Sequence, residues 1–136
     1  MKPSHIEHIG IAVNNLESAI GFYEKVLGLT CYKIEKVADQ KVRTAFLMAG
    51  ETKIELLEST DPGGPIGKFI EKRGEGVHHI AFAVGDISKH LDHAAASGIR
   101  LIDTTPRKGA ENLDIAFLHP KSTNGVLIEF CENPGR

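Results

Sequence analysis

Apolar and polar residues alternate along residues 6–13, and apolar residues then recur at helical spacing over residues 16–29. That change of period predicts a strand followed by a helix. Asn14 and Asn15 supply turn chemistry between the two, Leu16, Ile20, Phe22, Tyr23, Val26 and Leu27 make the apolar face of the helix, and Gly28 stands where a C-terminal cap is expected. Three strand-like runs follow, at residues 30–36, 43–48 and 53–58, separated by the polar ADQK and by AGET, whose Gly50 suits a tight turn. The first part of the chain therefore reads β-α-β-β-β.

The same order comes round again. Residues 77–84 read as a strand, 87–96 as a helix ending at Gly98, and residues 99–103, 114–119 and 125–131 as strands. Between the copies lies STDPGGPIGKFIEKRGEG, rich in Pro and Gly, with a short apolar turn at 66–70 that predicts a brief helix in a linker. The expectation is one α+β domain over residues 1–136: two half-modules, residues 5–59 and 77–132, joined by a linker at 60–76. Tandem β-α-β-β-β modules predict curved sheets around a cleft, a helix behind each, and an active site in the cleft.

The repetition extends to individual residues. EHIGIAV at 7–13 is echoed by HHIAFAV at 78–84, and IELLE at 54–58 by IEFCE at 128–132. His8 falls over His79, 71 residues on, and Glu55 over Glu129, 74 residues on. Strand parity sets His8, Gly10 and Ala12 against Ile9, Ile11 and Val13, and sets His79, Ala81 and Ala83 against Ile80, Phe82 and Val84. His79 is thus the cleft residue of its pair and His78 points to the core side. Glu55 opposes Ile54 and Leu56, and Glu129 opposes Ile128 and Phe130. A carboxylate inside an apolar strand is costly to bury without a counter-charge. Two imidazoles and two carboxylates in equivalent places make a divalent metal site from His8, Glu55, His79 and Glu129.

Other titratable residues carry less. His5, His90 and His93 are expected to be exposed, His119 to shape a turn, and Glu58 and Glu132 to lie on the surface past their strands. Lys108 and Lys121 are candidates for contact with an anionic substrate.

Composition narrows the partners. Charged residues are 25% of the chain and the net charge is −2, without a basic stripe interleaved with aromatics, so nucleic acid is not the expected partner. No apolar run approaches a membrane span, and MKPSHIEHIG has no signal-peptide core, so a soluble cytoplasmic protein is expected. Cys31 and Cys131 belong to no CxxC pair and read as free thiols without function.

A His-Glu-His-Glu quartet on paired β-α-β-β-β modules resembles the vicinal-oxygen-chelate superfamily, to which glyoxalase I, extradiol dioxygenases and fosfomycin-resistance proteins belong. The resemblance runs from about Ile6 to Glu132. HIGIAVNNLESAIGFYEKVLGL, TKIELLE, GVHHIAFAVGDI and above all FLHPKSTNGVLIEF are most similar to methylmalonyl-CoA epimerases. The resemblance implies His8, His79 and Glu129 as metal ligands, Glu55 as the fourth, and interconversion of (R)- and (S)-methylmalonyl-CoA by proton transfer through an enolate. Glu129 and Glu55 are then the candidate bases, Lys121 a coenzyme A contact, the metal cobalt ahead of nickel, manganese or zinc, and the assembly a homodimer. Some members carry a proton-transferring Glu on the strand before the fourth ligand, whereas KVRTAFL in this chain has none. Glyoxalase I is the enzymatic alternative. Its usual Arg four residues after the first His is replaced by Ala12, which argues against glutathione. A metal-free binding or resistance protein of the same fold is the non-enzymatic alternative, and it has no use for the full quartet.

Overall fold

The computed structural model describes residues 2–135 and divides into two compact units, one spanning residues 8–78 and the other residues 79–135 with the first few residues of the chain. The elements are β1 (His5–Ala12), α1 (Leu16–Lys25), β2 (Cys31–Val37), β3 (Val42–Ala49), β4 (Thr52–Ser59), α2 (Pro65–Arg73), β5 (Gly76–Ala83), α3 (Ile87–Ala96), β6 (Arg107–Lys108), β7 (Asp114–Leu118) and β8 (Ile128–Glu132). In the first unit β1 pairs parallel with β4, while β4 with β3 and β3 with β2 pair antiparallel. The second unit repeats the plan, β5 parallel to β8, then β8 with β7 and β7 with β6 antiparallel. Each unit is therefore a mixed four-stranded sheet, and the fold class is α+β.

Strand parity decides what each face does. In the first unit α1 packs through Leu16, Ile20 and Tyr23 on Ile11, Ala45, Leu47, Ile54 and Leu56. In the second, α3 packs through Ile87, Leu91 and Ala94 on Ala116, Leu118, Ile128 and Phe130. The odd partners, including Glu55 and Glu129, are left on the opposite faces. On that face of the first unit, α2 covers one end through Ile66, Phe69 and Ile70, which pack on Ala12, Val42 and Leu57. Gly67 permits this seat: a Cβ there would stand 2.7 Å from the Pro62 carbonyl oxygen.

Both long helices start from the same kind of cap. The Asn15 side chain accepts from the Ser18 N–H at 2.8 Å, and the Asp86 side chain accepts from the Lys89 N–H at 3.1 Å. Glu58 and Glu132 correct the expectation that they are surface residues past the strand ends. Both lie within β4 and β8, half-buried, and each carboxylate accepts from the first amide of a helix, Leu16 N–H and Ile87 N–H, each at 2.8 Å. A carboxylate there satisfies an orphan donor and meets the positive end of the helix dipole. Glu58 is also held by Arg43, at 3.0 Å, which donates in addition to Glu17.

Several boundaries move. α1 stops at Lys25, and Gly28, at φ +71°, turns the chain while its N–H donates to the Glu24 carbonyl. The strand expected at 99–103 is reduced to one bridge, Leu101 to Leu118. The Asp103 carboxylate takes the Phe117 N–H at 2.8 Å and the Arg107 Nε at 3.0 Å, ending the ladder, and pairing resumes only at the two-residue β6. β8 begins at Ile128 rather than 125, because residues 120–126 form a turn with Asn124 and Gly125 at positive φ. α2 is longer than the brief helix expected, opened by Pro65 and closed at Gly74.

Candidate functional site

The unit around β1 and β4 brings His8 and Glu55 together. β1 and β4 register Gly10 against Glu55, and on the other side β3 registers Phe46 against it. Glu55 therefore leans over a residue with no side chain toward His8, and His8 Nδ1 lies 3.3 Å from Glu55 Oε2. The second unit builds the same arrangement. Ala81 and Phe117 flank Glu129 in the register, and His79 Nε2 lies 3.4 Å from Glu129 Oε1. All four are buried, His8 at 4%, Glu55 at 5%, His79 at 7% and Glu129 at 2% exposure.

The two separations bear on what the pairs are for. A charge-assisted N–H···O bond closes to about 2.7–2.9 Å. Ligands at roughly 2.0–2.2 Å from one ion, at right angles, stand roughly 3 Å apart, a little inside the spacing of these pairs. Imidazole nitrogen with carboxylate oxygen is a donor set for a divalent cation of the zinc, cobalt, nickel or manganese kind. The donor set of each unit, one His and one Glu, is therefore of a kind that suits such an ion.

Four neighbours of these pairs were not legible as site residues. Phe46 and Phe117 stand beside the two carboxylates, and the His79 ring meets Phe117 edge-on at 5.7 Å between centroids. Their signal was present as Ala-Phe-Leu at 45–47 and again at 116–118, the same 71 residues apart as the histidines. Cys131, read as a thiol without function, is 1% exposed and its Sγ donates to Glu129 Oε2 at 2.7 Å. Two residues on from Glu129, it shares that face of β8. Lys53 is buried on the same face as Glu55, in register with His8.

The remaining candidates fall outside these clusters. His119 shapes its turn as expected, Nδ1 accepting from the Lys121 N–H at 3.1 Å, and Lys121 itself is exposed. Lys108 is paired with Asp114 at 2.8 Å. His90 is not exposed: it is half-buried, its Nδ1 3.0 Å from the Asp86 carbonyl oxygen and its ring on Phe130. His5 is half-buried beside the Ser4 hydroxyl, while His93 is exposed. His78 meets Phe69 of α2, with ring centroids 5.0 Å apart. Both cysteines are free. Among the described residues no helix is long and apolar enough to cross a membrane.

Residues 7–117 match the glyoxalase/bleomycin resistance protein/dioxygenase superfamily, and the chain belongs to that family. Within it, the chain is 46% identical over 132 residues to an uncharacterized protein of Bacillus subtilis strain 168, YqjC, covering 97% of this chain and 94% of that one. It is 38% identical over 128 residues to the mitochondrial methylmalonyl-CoA epimerase of Dictyostelium discoideum, covering 93% of this chain and 77% of that one. Among solved structures, a variant of Streptomyces coelicolor methylmalonyl-CoA epimerase in complex with 2-nitronate-propionyl-CoA is similar at a TM-score of 0.93 and 35% identity, covering 98% of this chain and 96% of that one. The chain is thus related to an enzyme class whose members bind acyl-CoA thioesters.

Proposed function

We propose that His8, Glu55, His79 and Glu129 together hold one divalent cation and that the protein is a methylmalonyl-CoA epimerase, interconverting the (R) and (S) forms by proton transfer. The observation that carries this reading is the repetition of one buried His–Glu pair in each unit, on equivalent strands, in a chain related to epimerases. A reaction that removes a proton from one face of a carbon and returns it to the other needs a base on each side. A duplicated frame supplies one from each half.

In this mechanism Glu129 takes the α-proton and Glu55 returns one to the opposite face. The imidazoles of His8 and His79 stay as fixed neutral donors. The cation, when bound, supplies a Lewis acid opposite the negative charge that develops on the thioester oxygen. β3, the strand paired beside Glu55, offers no carboxylate that could serve instead, since Val42 to Ala49 contains none. Lys121, exposed on its turn, is the contact proposed for the nucleotide end of coenzyme A. Cobalt is the metal proposed first, with nickel, manganese and zinc as substitutes; the assembly proposed is a cytoplasmic homodimer.

The test is proton exchange followed by NMR. Cobalt-loaded protein is mixed with methylmalonyl-CoA in deuterium oxide, beside a run with the methylglyoxal–glutathione hemithioacetal. Loss of the α-proton signal in the first is expected, and Glu129→Gln and Glu55→Gln each lower the rate of conversion of one epimer to the other at least about 100-fold, the scale of a positioned acid or base. Turnover of the hemithioacetal alone would make the protein a glyoxalase. Full conversion of one epimer to the other in Glu55→Gln would remove Glu55 from the mechanism.

A further inference from the structure

A carboxylate has two oxygens, and the surroundings of Glu129 treat them differently. Oε1 lies 3.4 Å from His79 Nε2, whereas Oε2 accepts from the Cys131 thiol at 2.7 Å. Cys131 is 1% exposed and stands two residues beyond Glu129 on β8, so both side chains leave the same face of the strand. Ala83 and Ile115 are its partners in the register, and Ala81, Leu113 and Ile115 enclose it in an apolar cluster. A hydrogen bond in such surroundings is stronger than in water. The fold does not need a thiol there. Following the spacing that relates Glu55 to Glu129, the equivalent of Cys131 in the first half is Leu57, which is buried with Ala12, Val42 and Ile66. The same frame closes around an apolar side chain, so the donor is an addition made in one half.

We propose that Cys131 is a positioning residue for Glu129: its thiol fixes Oε2 and so presents Oε1, beside His79, as the one oxygen offered to the cation. This rests on the reading of the quartet as a metal site. A carboxylate with neither oxygen held can swing between one-oxygen and two-oxygen coordination, and each rotation moves the lone pairs that accept a proton. The S–H bond takes one lone pair of Oε2 and leaves the other in a fixed direction, where a proton can be received. Hydrogen-bonded partners of ligating carboxylates set metal affinity or activity on a scale of roughly 10- to 100-fold. Cys31 is the control, since its Sγ donates at 3.5 Å to a backbone carbonyl, that of Lys33, and not to a carboxylate.

The experiment is titration of the purified protein with cobalt after metal removal, followed by visible absorption, for the wild type, Cys131→Ala, Cys131→Ser, Cys131→Val and Cys31→Ala, with the fold of each checked by circular dichroism. Ala and Ser are nearly equal in size and differ in a donor, and Val fills the space without one. Cys131→Ala and Cys131→Val are expected to bind cobalt roughly 10- to 100-fold more weakly than the wild type and with altered d–d bands. Cys131→Ser keeps most of the affinity and the wild-type bands, and Cys31→Ala keeps both. Equal losses in Cys131→Ala and Cys131→Ser, or wild-type affinity and bands in Cys131→Ala, overturn the role of the thiol. A thiolate-to-cobalt charge-transfer band that vanishes in Cys131→Ala also overturns it, because Cys131 would then be a ligand itself. Failure of the wild type to bind cobalt overturns it together with the metal reading. The expected pattern in a protein that does not exchange the α-proton of methylmalonyl-CoA upholds the role of Cys131 and overturns the epimerase reading alone.

Discussion

Glu58 and Glu132 occupy equivalent places in the repeat and cap equivalent helices, yet their surroundings differ enough to separate the cost of losing each. Glu58 Oε2 accepts from the Leu16 N–H at 2.8 Å, and its Oε1 lies 3.0 Å from Arg43, with the Glu58 side chain 21% exposed. Replacing it by Ala leaves a helix amide without its charged acceptor, a loss of about 1.5–3 kcal/mol. The ion pair adds up to about 1 kcal/mol, the upper end for partly exposed pairs, since Arg43 keeps Glu17. Glu132 accepts from the Ile87 N–H at the same 2.8 Å, but it faces Asp114 across the β7–β8 register instead of an arginine. Its removal relieves a like-charge neighbour, so Glu132→Ala costs about 1 kcal/mol less than Glu58→Ala. For a chain of this size about 3–5 °C of Tm accompany each kcal/mol. Thermal unfolding by circular dichroism should therefore place Glu58→Ala roughly 5–20 °C below the wild type and Glu132→Ala between them. Equal losses, or the reverse order, would refute the opposing contributions of Arg43 and Asp114. Two Tm values within a degree of wild type would refute the capping role itself.

Saturating cobalt, nickel or zinc should stabilise the protein by about 2.7 kcal/mol at a hundred times Kd, read as a rise in Tm, and His8→Ala should remove most of that rise, measured against the variant's own unloaded Tm. The Arg43 guanidinium beside Glu17 holds that carboxyl below the ordinary glutamate range, so its contribution is present above the ordinary value and is lost as pH falls through the lower folded one; Glu17→Gln should remove part of the acid limb of the stability curve, and an unchanged limb would show the pair to be screened by solvent.

The legible part of the chain was the part set by period. Alternation fixed the face of every strand that carries a member of the quartet, so the pairing of His8 with Glu55 and of His79 with Glu129 follows from the sequence once parallel pairing of first and last strands in each half is accepted. α3 was legible to the residue because Asp86 and Gly98 mark its ends. What escaped depended on side chains competing with backbone for hydrogen bonds. Asp103 replaces a strand partner with its own carboxylate, and nothing in the alternation of residues 99–103 announces that. Glu58 and Glu132 escaped for the same reason: strand position made them surface residues, whereas the amides of a helix distant in sequence drew them in. Lys53 and Cys131 escaped because a lysine or a cysteine two residues from a buried glutamate has an ordinary reading as solvated or core.

The duplication holds for the caps, the small residues and the rings of the frame, and fails at individual side chains around them. Caps at Asn15 and Asp86, carboxylates at Glu58 and Glu132, small residues at Gly10 and Ala81, and rings at Phe46 and Phe117 all recur between the halves. A proton moved across a single carbon atom calls for that symmetry, because the two faces of the carbon present the same task. The substrate proposed is not symmetric: one side of its reacting carbon is a thioester and the other a carboxylate. Among the positions where the halves differ are Arg43 against Asp114, Lys53 against Leu127, Leu57 against Cys131 and Thr44 against Ile115. Cys131 donates to the Glu129 carboxylate. A frame built from one repeated unit thus keeps its caps and its His–Glu pairs while single side chains around them diverge, and on the function proposed those are the positions that can meet an asymmetric substrate.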